Sequence, residues 1–142
     1  MSPATVPLRP SSGGELRIAP QPSELSRARA FARDAAERFG LDEPSGHDFT
    51  TAVSEAVANA IEHGEPCSDG TIHLWVSLGA RTLTFGVRDA GEFVAEPPSN
   101  DPLRTRGRGL MMMSDLVDEL ALRRVDEYTQ VELSKRRRFA RA

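Results

Sequence analysis

Apolar residues recur along this chain with two periods, and the switches between them mark its elements. Glu15-Leu16-Arg17-Ile18-Ala19 alternates polar with apolar, which predicts a first strand that Pro20 and Pro22 end. Leu25, Ala28, Phe31, Ala35 and Phe39 then fall at helical spacing, with Ser23 as the expected N-cap and Gly40 as the stop. A second helical stripe follows: Phe49, Val53, Ala56, Val57, Ala60 and Ile61, ended by Gly64. Ser45-Gly46-His47-Asp48 ahead of it resembles a capping box, with Asp48 in place of the usual Glu.

The period then drops to two. Ile72, Leu74, Val76 and Leu78 share one side of a strand, and His73, Trp75 and Ser77 the other. A tight turn at Gly79-Ala80 predicts an antiparallel hairpin, whose return strand puts Leu83, Phe85 and Val87 on one face. The same alternation carries Asp89 onto that apolar face. Residues 90–109 hold three Pro and three Gly, and an irregular stretch of this length marks a lid or binding loop. A short helix over Leu110–Val117 and two strands, Glu119–Arg124 and Tyr128–Leu133, complete the pattern.

The order β-α-α-β-β-loop-α-β-β predicts an α+β two-layer sandwich. Helices would cover one face of a mixed, mostly antiparallel sheet. The other face would meet water or a partner, with Trp75 as a candidate contact. Residues 1–14 read as a flexible tail, 15–134 as the domain, and 135–142 as a basic tail that is solvated or docks an acidic partner or nucleic acid.

Composition narrows the function. Twenty-one acidic and 18 basic residues give a net charge of −3, which argues against a dedicated nucleic-acid binder. No apolar run is long enough to span a bilayer and the N-terminus has no apolar signal core, so the expected location is the cytoplasm. One cysteine, Cys67, excludes an internal disulfide.

Three features can carry chemistry. Asp89 is either a turn residue capping its own backbone or a carboxylate on the floor of a pocket, accepting from a ligand amino group. Arg106-Gly107-Arg108-Gly109-Leu110 stands before a helix. It is either a flexible turn or a phosphate site, in which glycine backbone, helix N–H groups and the charges of Arg104, Arg106 and Arg108 act together. Glu55 and Asn59, spaced i and i+4, are either a solvated face or a working pair: Asn59 would offer an oxygen to Mg²⁺, and Glu55 would take a proton from a hydroxyl or water.

In this order the features resemble the Bergerat ATP-binding fold of gyrase B, Hsp90, histidine kinases and MutL, and most of all the bacterial anti-sigma-factor serine/threonine kinases. AVSEAVANAIEHG (52–64) and GVRDAG (86–91) carry the resemblance, which spans about Glu15 to Ser134. It implies ATP and Mg²⁺ as cofactors. Glu55 would be the residue that activates the nucleophile, and Asn59 the Mg²⁺ ligand. Asp89 would read the adenine amino group, and Gly91 would line the base. Gly107 and Gly109 would contact phosphates beside Arg106, Arg108 and Leu110, and Thr129 would support the adenine site. It implies a sigma factor held inactive, an anti-anti-sigma factor phosphorylated on Ser or Thr, and a homodimer, with no membrane or direct nucleic-acid contact. Two departures stand out: Glu92-Phe93 follows Gly91 where a second glycine is usual, and Tyr128 replaces the glycine before Thr129. Both would crowd or reshape the nucleotide pocket, and they raise the alternative of a catalytically weak or inactive module acting by sequestration alone.

Overall fold

The structure, a computed structural model, describes residues 13–91 and 112–137. Strand β1 (Gly14–Ile18) leads through a 3-10 turn (Pro22–Glu24) into helix α1 (Leu25–Phe39), followed by helix α2 (Glu43–His63). The hairpin β2 (Ile72–Leu78) and β3 (Thr82–Asp89) comes next, and β4 (Glu119–Val125) and β5 (Tyr128–Arg136) form a second hairpin. Residues 112–116, ahead of β4, are helical, which agrees with the expected short helix as far as it is described. The sheet order is β1-β2-β3-β5-β4. All of these pairings are antiparallel, where a mixed sheet had been expected.

Both helix starts differ from expectation. Ser23 lies inside the 3-10 turn, because Pro22 fixes the backbone there and Leu25 N–H bonds the Pro22 carbonyl. α1 therefore begins at Leu25 without a side-chain cap, and Glu24 pairs with Arg27 at 2.7 Å instead. α2 begins earlier than the Ser45 box. Asp42 is its N-cap, accepting from Ser45 N–H at 2.8 Å, with Pro44 in the first turn, where a missing N–H costs nothing. Gly40 ends α1 at φ 88°, a conformation that favours glycine, and its N–H reaches the Ala36 and Glu37 carbonyls.

The core lies between the helices and one sheet face. Leu74, Val76, Phe85, Val87 and Leu133 meet Ala28, Ala32, Phe49, Val53 and Val57, all at 1% exposure or less. Phe85 is the hub, with Phe31 and Phe49 edge-on at centroid distances of 5.8 and 6.2 Å. Truncating a fully buried Phe such as Phe49 to Ala costs about 3–5 kcal/mol.

The opposite sheet face is closed differently. Trp75 is 6% exposed, not a free contact. It stands opposite Gly86, and a Cβ there would lie 1.9 Å from the indole, so the ring lies flat in the gap that glycine leaves. The Arg88 guanidinium packs 5.9 Å from the Trp75 ring centre and 5.2 Å from that of Tyr128, and bonds Gln130 Oε1 at 2.8 Å. β5 runs past the expected Leu133 to Arg136. Lys135 is consequently a buried strand residue, and its Nζ bonds the Leu116 carbonyl at 2.7 Å.

Candidate functional site

Antiparallel register sets Arg124, Thr129 and Asp89 side by side across β4, β5 and β3, on the face toward the helices. The C-terminal end of α2 presses on this row. Ala90 N–H donates to the Glu65 carbonyl at 2.8 Å, and a Cβ on Gly64 would come within 2.7 Å of Asp89 Cγ. The tight approach explains the glycine after the helix, which the sequence pattern marks only as a stop.

Asp89 is 7% exposed. Oδ1 accepts from Gly91 N–H at 2.7 Å, so the residue does cap its own turn. Both sequence-level alternatives describe it in part, since a turn-capping carboxylate is here also a buried one beneath a helix end. Burial pushes its pKa above the usual carboxylate range, against the hydrogen bonds from Gly91 and Glu65 N–H and the charge of Arg124, while the Glu65 carboxylate adds to the rise. Thr129 is buried and donates to the Gly91 carbonyl. Arg124 Nη1 donates to the same carbonyl at 2.8 Å and to Thr129 Oγ1 at 3.2 Å. Sequence patterns give no sign of Arg124. Only the two-residue turn at Asp126-Glu127, with Asp126 at φ 55°, sets the register that puts it opposite Thr129.

Asn59 and Glu55 lie five and nine residues before Gly64 on α2, about 7.5 and 13.5 Å along the axis at 1.5 Å per residue. Both are half-buried, and neither has a hydrogen-bond partner among the described residues. Glu55 also lines a groove of about 540 Å³ between α1 and α2, with Arg29, Arg33, Glu37, His47 and Thr51 among its walls. Arg106, Gly107, Arg108, Gly109 and Leu110 lie outside the described residues, as do Glu92 and Phe93. The Tyr128 side chain, expected to crowd or reshape the pocket, is turned away from Asp89 and Thr129. It is on the face opposite Thr129, stacked on Arg88. Cys67 is buried, with its thiol pushed up to about 11 chiefly by desolvation, which makes it a poor nucleophile.

The residues suit an adenine nucleotide at one end and a cation with a proton acceptor at the other. Asp89 has only acceptor capacity when ionised, as an exocyclic amino group requires, and the oxygens of Asn59 and Glu55 are uncommitted among the described residues. An open antiparallel sheet backed by two helices makes this an α+β two-layer sandwich. The family model for the histidine kinase-like ATPase domain matches residues 18–135, and the chain belongs to that family.

Among curated proteins it is similar to an anti-sigma F factor of Anoxybacillus flavithermus, 33% identical over 127 residues, covering 80% of this chain and 87% of that one. It is also similar to the serine-protein kinase RsbW of Oceanobacillus iheyensis, 26% identical over 122 residues, covering 76% and 77%. Among solved structures, the RsbU and RsbW domains of Rv1364c from Mycobacterium tuberculosis superpose with a TM-score of 0.66 at 24% identity, over 87% of this chain and 31% of that chain. That likeness bears on the fold. No helix among the described residues is long and apolar enough to cross a membrane.

Proposed function

We propose that the chain is an anti-sigma factor with ATP-dependent serine/threonine kinase activity. It holds a sigma factor inactive and phosphorylates an anti-anti-sigma factor. The observation that carries the reading is the buried Asp89 carboxylate under the end of the same helix that holds Asn59 and Glu55, whose side chains have no hydrogen-bond partner among the described residues. The names of the similar curated proteins support it.

In this reading ATP supplies the phosphoryl group and Mg²⁺ neutralises its charge. Asp89 accepts a hydrogen bond from the adenine amino group, and Gly91 and Thr129 line the base. Asn59 offers its side-chain oxygen to the cation. Glu55 orients the acceptor hydroxyl and takes its proton, and the α1–α2 groove gives that hydroxyl a path to Glu55 from outside. Arg106, Gly107, Arg108, Gly109 and Leu110 are assigned the phosphates on sequence grounds. Tyr128 turning away from Thr129 removes one of the two reasons for reading the chain as an inactive module. We further propose a homodimer and a cytoplasmic location.

The test is transfer of labelled phosphate from ATP to a candidate anti-anti-sigma protein. The reading expects Mg²⁺-dependent transfer that Glu55→Ala slows by about 10²–10⁴-fold. Sigma-factor binding with no transfer under any nucleotide condition would leave a sequestering module.

A further inference from the structure

Arg124 is the one member of the cross-strand row to which the proposed mechanism gives no part. It lies on the edge strand β4 and reaches inward to bond the Gly91 carbonyl and Thr129 Oγ1. A hydroxyl carries one proton and two lone pairs. Thr129 spends its proton on the Gly91 carbonyl and one lone pair on Arg124, so a single lone pair remains. Beside it, an ionised Asp89 also offers only lone pairs, some of them already used by the Gly91 and Glu65 N–H groups.

Resting on the nucleotide-binding reading above, we infer that Arg124 is a specificity-determining positioning residue. By locking Thr129 to the Gly91 carbonyl, it keeps these two side chains acceptor-only, so that the site takes a 6-amino purine and rejects a 6-oxo purine. A 6-amino group donates to Asp89. A 6-oxo group sets its own lone pair against the carboxylate, and leaving such a pair unmatched in a buried site is costly. The side chain beside Asp89 that could turn a proton toward the oxo group is Thr129, and it cannot do so while bonded to Gly91. Without Arg124 the Gly91 carbonyl is held by one side-chain donor where it had two, and the hydroxyl is freed to rotate.

A second effect of Arg124 acts in the same direction. Among the described residues, the titratable groups around Asp89 are Glu65 after α2, Arg124 on β4 and the Cys67 thiol. Burial and Glu65 favour the protonated carboxyl, while Arg124 is the cation that favours the ionised one. A protonated Asp89 would itself donate to a 6-oxo group, so loss of the cation weakens rejection by this route too.

The experiment compares Mg²⁺-ATP with Mg²⁺-ITP, which carries oxygen in place of the 6-amino group, by calorimetry. Wild type, Arg124→Met, Arg124→Gln and Arg124→Lys are each confirmed folded by melting curve. Wild type is expected to prefer ATP by at least about a hundredfold. Arg124→Met should narrow that ratio by at least about tenfold, through weaker ATP and tighter ITP binding. Arg124→Gln should move it the same way, and Arg124→Lys should restore part of it, because an ammonium keeps the charge but not the planar fork. A merely structural role would weaken both nucleotides by one factor and leave the ratio intact in Arg124→Met, and that result would overturn the inference alone. A wild type that binds neither nucleotide would remove the nucleotide reading and this inference with it.

Discussion

The two ends of the proposed site, both carried by α2, differ in how complete they are. At the helix C-terminus Asp89 is enclosed. Gly64 and Gly91 approach its carboxylate so closely that a Cβ on either would lie within 3 Å of Oδ1, and the Glu65 carbonyl holds the next N–H. Further back along the helix, Asn59 and Glu55 are half-buried and have no hydrogen-bond partner among the described residues. A group that selects a base gains from being fixed before the ligand arrives, since ordering it afterwards would subtract from affinity. Groups that hold a cation and take a proton find their partners only in the bound nucleotide and the acceptor protein. The binding end is thus built by the fold, and the chemical end is completed by what enters.

Substitutions can break this contrast, and the largest effect is expected at the unfinished end. Glu55→Ala should slow phosphate transfer by about 10²–10⁴-fold while leaving ATP affinity within about twofold, because it removes a proton acceptor and no base contact. Single-turnover transfer and equilibrium binding on one preparation separate the two. Gly64→Ala should act the other way. Its Cβ would lie 2.6 Å from the Ala60 carbonyl and 2.8 Å from Asp89 Oδ1. Neither backbone nor carboxylate can yield freely, so urea unfolding should show a loss of about 1–3 kcal/mol with ATP binding weakened as well. Gly86→Ala sharpens the comparison as a control on the opposite sheet face. Its Cβ would strike the Trp75 indole and cost about 1–3 kcal/mol, yet ATP affinity in the folded protein should not change.

The smallest effect is on pH. The folded-state pKa of Asp89 is raised above its unfolded value by burial, with the Gly91 and Glu65 N–H groups and Arg124 opposing. The carboxylate is therefore less stable in the fold than in the unfolded chain. Apo stability should fall as pH rises from about 3.8 through that higher value. ATP affinity, which needs the ionised form, should run the opposite way and weaken as pH drops through the same range. Calorimetric titration against pH, with ITP beside ATP, reads both the sign and its dependence on the base.

The fold was largely legible because its signals are local. The helical stripes that include Phe49, Val53 and Val57, and the alternation through Leu74, Val76, Phe85 and Val87, are repeated many times over. The helix starts were less so. Ser23 and Ser45 are good capping residues by type, but Pro22 and Asp42 fix the chain a few residues earlier. Trp75 looked exposed because alternation assigns a face and not a neighbour. Its burial depends on Gly86, eleven residues on and directly across the hairpin.

The candidate site divides in the same way. Asp89 was visible as a charge continuing an apolar face, and Glu55 and Asn59 as an i, i+4 pair. The roles of Gly64, Glu65 and Arg124 depend on contacts between elements distant in sequence, which no single-strand period reports. Tyr128 was misjudged for a related reason. Its substitution sits beside a site residue in sequence, but neighbouring strand residues point to opposite faces.

The central claim is that Asp89 selects an adenine nucleotide. Its most direct test is the melting temperature of wild type and Asp89→Asn with and without Mg²⁺-ATP. Wild type should gain roughly 5–10 °C at about a hundred times its dissociation constant. Folded Asp89→Asn should gain nothing at the same concentration. An Asp89→Asn protein that keeps the full rise, or a wild type that shows none, would contradict it.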